Sequence, residues 1–116
     1  MILRRKYFIF KRTNSIPMYC KAWKYTVLSN QAKFEEVYGR NGQWFKFFEP
    51  CDDFLGQELM KGSDDETTYM VLDKWMAEED YEAYIAANQA EYQLLDSQTR
   101  ELYEEEISLG SYSIIQ

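Results

Sequence analysis

From Met18 to Leu28 (MYCKAWKYTVL) large apolar side chains alternate with other residues, and Tyr19, Trp23, Tyr25 and Val27 fall on one face. A period of two, carried by aromatic and β-branched residues, predicts a strand. Ser29 and Asn30 then offer capping side chains, and Phe34, Val37 and Tyr38 recur at helical spacing. Gly39 and Gly42 interrupt this stripe, Trp44, Phe45 and Phe48 resume it, and Pro50 closes the segment. Residues 53–61 (DFLGQELMK) predict a second strand in which Gly56 marks a bulge or a close approach. After the polar turn GSDDET, alternation resumes from Thr67 to Trp75 and puts Tyr69, Val71, Asp73 and Trp75 on one face. The short connection predicts an antiparallel hairpin.

Glu78, Glu79 and Asp80 place carboxylates where a helix N-terminus favours them. Tyr81, Tyr84, Ile85, Asn88, Tyr92 and Leu95 follow at offsets 0, 3, 4, 7, 11 and 14, an amphipathic stripe. Helical character extends, with a kink, to about Glu105, and residues 107–115 (ISLGSYSII) predict the last strand. The order β-α-β-β-α-β gives an α+β, ferredoxin-like antiparallel sheet with its helices on one face. Its other face would be a large apolar patch in water. Packing two copies face to face buries that patch, so a homodimer is expected.

Charge divides the chain unevenly. Residues 1–17 carry five basic side chains and no acid, whereas residues 18–116 hold 8 basic and 20 acidic ones. The chain is therefore expected to be a basic extension at 1–17 followed by one domain at 18–116. The acidic body repels phosphate backbones and argues against a nucleic-acid partner. No run approaches the roughly 20 apolar residues of a membrane span. Within the extension only Tyr7 to Phe10 form an apolar run, too short for a signal peptide. Three readings of it stay open: a membrane-surface tether, an added edge strand, or an extension of no defined role before a start at Met18. Cys20 and Cys51 lie 31 residues apart, without metal-ligand spacing, and are expected to be reduced in a cytoplasmic protein.

Candidate chemistry starts from two totals: twenty of the 116 residues are Phe, Tyr or Trp, and none is histidine. The aromatics suggest either a lined apolar pocket or simply the framework of the core. The missing imidazole removes the commonest general base and metal ligand. No glycine-rich phosphate-binding pattern is present, and the acidic clusters at Asp64–Glu66 and Glu104–Glu106 fit a turn tip and a solvated helix end.

Several stretches resemble the antibiotic biosynthesis monooxygenase family: WKYTV (23–27), FEEVYGRNGQWFKFF (34–48), FLGQEL (54–59), YMVLDKW (69–75), EYQLLD (91–96) and EISLGSY (106–112). The resemblance implies a ferredoxin-like fold that dimerises through its sheets into an α+β barrel. It further implies one of two activities: oxidation of polycyclic phenols or anthrones by dioxygen with no cofactor, or haem degradation. The haem-degrading members use a histidine on the second helix, an asparagine on the first strand and a tryptophan at the end of the third. Trp75 matches the tryptophan, but the asparagine position falls at or beside Trp23 and the histidine position near Ala86, so haem degradation is not expected. What the resemblance implies is an oxygenase with no cofactor and no metal, acting on an aromatic or quinol-like molecule. The alternative is a non-catalytic homodimeric binding or interaction module of the same fold.

Cofactor-free oxygenation needs an apolar slot, a base and hydrogen bonds to an oxyanion. Trp75 and Trp23 are candidate walls, or core. Asp73 shares a strand face with Val71 and Trp75; buried among rings its pKa would rise and suit it as a base. Alternatively a bulge turns it outward, or it pairs with Lys24 or Arg100. Asn88 either hydrogen-bonds a substrate oxygen or marks a helix break. Tyr81 and Tyr84 offer hydroxyls to orient a ligand, and Trp44 and Phe48 close the mouth or pack the core. The candidate catalytic residues are thus Asp73, Trp75 and Asn88, and the candidate substrate-binding residues Trp23, Trp44, Phe48, Tyr81 and Tyr84.

Overall fold

A computed structural model describes residues 18–115; the basic extension expected at 1–17 lies outside the described residues. Four strands, β1 (Met18–Thr26), β2 (Phe54–Lys61), β3 (Thr68–Trp75) and β4 (Glu105–Ile114), form one antiparallel sheet in the order β2-β3-β1-β4. Helices α1 (Gln31–Tyr38) and α2 (Gln43–Phe48) connect β1 to β2; α3 (Glu78–Ala87), α4 (Gln89–Thr99) and a 3₁₀ turn (Arg100–Leu102) connect β3 to β4. This is the ferredoxin-like arrangement that the alternation and spacing imply.

The strands form where β-branched and aromatic residues alternate, and β3 shows the cleanest result. Tyr69, Val71, Asp73 and Trp75 are all buried while the residues between them are half-buried. Register then decides which side chains meet. Across β1 and β3, Lys21 stands opposite Asp73, Trp23 opposite Val71 and Tyr25 opposite Tyr69. Across β2 and β3, Gln57 stands opposite Asp73 and Leu59 opposite Val71. The register shifts between Phe54 and Gly56, where Gly56 takes φ 128°, a conformation that side chains rarely adopt. That is the bulge expected from the lone glycine in this strand.

Helices cover one face. Phe34 and Tyr38 of α1 stack with ring centroids 4.3 Å apart, and Phe48 of α2 meets Trp75 edge-on at 5.2 Å. Two helices replace a single stripe in the first connection because the chain folds back tightly at Gly42. A Cβ there would lie 2.4 Å from the carbonyl oxygens of Glu36 and Val37. The second connection breaks at Asn88 (φ −124°, ψ 35°). Asn88 donates from its backbone N–H to the carbonyls of Tyr84 and Ile85, and from Nδ2 to the Tyr84 carbonyl at 2.9 Å. The kink expected in this helix is a true break, and a residue that bonds its own preceding turn makes it.

On the opposite face the register aligns Cys20, Ala22, Met70, Leu72, Ile107 and Tyr112. Ile107 and Tyr112 are 40% and 56% exposed. Cys20 and Cys51 are not bridged. No helix among the described residues is long and apolar enough to cross a membrane.

Candidate active site

Between the sheet and the helices lies a cavity of about 30 Å³, partly open to solvent. Its floor comes from all four strands: Trp23 and Tyr25 of β1, Val71 and Asp73 of β3, Gln57 of β2 and Glu106 of β4. Its roof comes from the helices: Tyr38 of α1, Trp44 and Phe48 of α2, Tyr81 of α3, and Tyr92 and Asp96 of α4. Roughly 10–15 Å³ on this measure holds one water. The cavity therefore admits a group of about two heavy atoms, and a whole aromatic ring enters only if side chains at the mouth move.

Asp73 is the chemical centre of this space. The alternating burial of β3 turns it inward, where it is 5% exposed. Its Oδ1 accepts a hydrogen bond of 2.7 Å from Gln57 Nε2, a contact made by the β2–β3 register. Burial raises its pKa to about 6, opposed by Gln57, the Trp23 indole and the charge of Lys21. A carboxylate so placed is ionised at neutral pH yet takes a proton at small cost, the property of a general base. Neither Lys24 nor Arg100 neutralises it. Lys24 is exposed on the other side of the sheet, and Arg100 pairs with Asp96.

Around Asp73 the polar groups are partly committed. Tyr25 donates its hydroxyl to Glu106 Oε2 at 2.7 Å, and Tyr38 donates to Thr99 Oγ1 at 3.2 Å. Both phenols are pushed above their ordinary range, chiefly by burial, and serve as neutral donors rather than bases. Among the described residues, Gln57 Oε1 and the indole Nε1 atoms of Trp44 and Trp75 are buried without a well-formed hydrogen-bond partner, although the Trp44 N–H faces the Tyr38 hydroxyl. At the rim, Lys21 Nζ lies 5.2 Å from the Trp23 ring centroid and 5.4 Å from that of Tyr81.

Of the residues singled out from sequence, Asp73, Trp23, Trp44, Phe48 and Tyr81 converge on the cavity. Trp75, Asn88 and Tyr84 do not line it. Trp75 is fully buried behind Phe48 and Phe54, each with its ring centroid 5.2 Å away. The Tyr84 hydroxyl donates to the Phe47 carbonyl at 2.6 Å, and Asn88 caps the end of α3. Gln57 and Lys21 went unnoticed in the sequence, although the parity of β1 already put Lys21 on the face of Trp23. Among the described residues no group of three or more cysteine, aspartate or glutamate side chains could hold a metal ion.

The chain matches no protein-family model and no curated protein sequence. Solved structures do match. SnoaB, a cofactor-independent oxygenase from Streptomyces nogalater, superposes with a TM-score of 0.69 at 20% identity, over 86% of this chain and 95% of SnoaB. A protein of Nitrosomonas europaea provisionally classed as an antibiotic biosynthesis monooxygenase gives a TM-score of 0.63 at 14% identity, over 84% of this chain and 89% of that one. PA3566 from Pseudomonas aeruginosa gives a TM-score of 0.54 at 12% identity, over 88% of this chain and 95% of that one. This chain therefore has the fold of SnoaB and of antibiotic biosynthesis monooxygenase-like proteins.

Proposed function

We propose that the protein is a cofactor-independent oxygenase that oxidises a phenolic or quinol-like aromatic at this cavity. The observation that carries the reading is Asp73, a buried carboxylate with a pKa of about 6, set among aromatic rings in a fold shared with a cofactor-independent oxygenase. Asp73 removes the acidic proton of the substrate. The resulting anion gives one electron to dioxygen, and the two radicals combine to a peroxide. For an anthrone-type substrate the O–O bond then breaks: the CH₂ carbon keeps one oxygen as a carbonyl, and the other leaves as water with both hydrogens. The substrate supplies all the electrons, so no external reductant enters.

Dioxygen uptake with anthrones, dihydroquinones and flavonols tests this. Uptake above the spontaneous rate is expected for at least one substrate, falling about 100-fold or more in Asp73→Asn, the scale of a lost general base. No uptake above background with any of them would overturn the reading.

One observation favours a second reading. A cavity of about 30 Å³ is far below the roughly 300 Å³ at which ordinary ligand pockets begin. That fits a homodimeric binding module without catalysis. Both readings use the same dimer, formed by pairing the sheet faces that carry Met70, Leu72, Ile107 and Tyr112. Light scattering at micromolar concentration is expected to give about twice the monomer mass of 13.9 kDa. A mass near the monomer value would remove the dimer.

A further inference from the structure

The cavity is an aromatic chamber with an acidic lining. Five of its rings belong to Trp23, Tyr25, Trp44, Tyr81 and Tyr92, and three of its side chains, Asp73, Asp96 and Glu106, are carboxylates. Asp96 is paired with Arg100 and Glu106 accepts the Tyr25 hydroxyl, whereas the hydrogen-bond donors to Asp73, the Gln57 amide and the Trp23 indole, are neutral. A ligand that arrives as an anion would meet the buried Asp73 carboxylate. A cation would meet ring faces and carboxylates together, the combination that recognises organic ammonium groups.

The molecule already places an ammonium at the rim of this space. Lys21 Nζ lies within cation–π range of both Trp23 and Tyr81, on the strand position opposite Asp73. One buried acceptor, Gln57 Oε1, also finds no donor among the described residues. Size narrows the class further. About 30 Å³ suits the two heavy atoms of a –CH₂–NH₃⁺ group and excludes a trimethylammonium.

We propose that the cavity binds the primary ammonium group of a small aromatic amine, held by Asp73 and the faces of Trp23 and Tyr81, with the Lys21 ammonium at the rim as its competitor for those rings. This rests on the reading of the cavity as a ligand site; an amine seated on Asp73 takes up the base that the oxygenase reading uses, so it is a ligand that competes with the oxidised aromatic. Gln57 Oε1 accepts one ammonium hydrogen. The ring of the ligand stays at the mouth, where Lys21 swings aside.

Titration with 2-phenylethylammonium, 2-phenylethanol and phenylethyltrimethylammonium, followed through the indole N–H signals of ¹⁵N-labelled protein, tests the proposal without dioxygen. The primary ammonium is expected to bind at least tenfold more tightly than the alcohol or the trimethylated analogue. It should move the Trp23 and Trp44 indole signals more than that of Trp75. Asp73→Asn should erase the preference over the alcohol, and Lys21→Met should tighten ammonium binding by removing a competitor. Both replacements are close to isosteric, and the same spectra report whether each variant is folded. Equal binding of the alcohol, a preference that survives Asp73→Asn, binding no tighter in Lys21→Met, or no ammonium binding at all would each overturn the proposal. Ammonium binding without oxygen uptake would sink the oxygenase alone, and uptake without ammonium preference would sink only this inference.

Discussion

Trp75→Ala is expected to destabilise the protein by about 3–5 kcal/mol, the range for truncating a large buried aromatic. Trp75 is fully buried and touches Phe48, Phe54, Tyr81 and Tyr84 with centroids 5.2–6.1 Å away, so one deletion strips ring contacts from α2, β2 and α3 together. A domain of this size has only about 5–15 kcal/mol in total, and a loss on this scale lowers its melting temperature by roughly 15–30 °C. Trp75→Phe should behave quite differently. It keeps most of the ring packing and removes an indole N–H that is buried without a partner, a group that costs about 1–3 kcal/mol. The net change is expected to stay within about 2 kcal/mol, and oxygen uptake should persist because Trp75 does not line the cavity. Thermal melts of the two variants separate the cases. A phenylalanine variant as unstable as the alanine one would show that the full bicyclic indole, and not a single ring, is what this position needs.

Asp73→Asn is expected to lower the proposed dioxygen uptake about 100-fold or more while raising stability at neutral pH, a pairing that marks a site held against its own folding preference. In the folded chain burial lifts the Asp73 pKa to about 6 from an ordinary 3.8. Between those values the native state binds more protons than the unfolded one. Stability therefore falls as pH rises from about 4 to 6 and stays at the lower level above that. A shift of this size corresponds to at most about 3 kcal/mol. The asparagine variant lacks the carboxylate, so its unfolding free energy should exceed that of wild type at pH 7, with the difference shrinking as pH falls toward 4. Denaturant unfolding at pH 4, 5, 6 and 7 measures it. A wild type whose stability rises with pH across this window, with no gain in the variant, would mean that Asp73 is better solvated than its burial implies.

Much of the architecture was legible because period and position agree. The alternation of β1 and β3, the short hairpin between β2 and β3, and the glycine at the bulge all follow from rules that act within a few residues. The site was legible only where a single strand decides it, as with Asp73 between Val71 and Trp75. Gln57 escaped because its meaning comes from register: nothing in FLGQEL says that its amide will face a carboxylate sixteen positions later. Trp75 shows the opposite failure. Its face was right, but depth along the strand puts it under Phe48 and Phe54 instead of at the cavity. Asn88 lies on the inward stripe of an ideal helix, and its side chain instead bonds the turn before it, as short polar side chains tend to do.

That last detail sets the shape of the roof. Tyr81 and Tyr92 stand eleven residues apart, an interval that an unbroken α-helix spreads over about 16 Å of axis. Both nevertheless line the same 30 Å³ space. The discontinuity at Asn88 is what lets two rings from one connection converge, because the chain changes course between them. A straight rod would touch the chamber once and run on past it. The jointed pair closes around it like two fingers, with an asparagine as the knuckle.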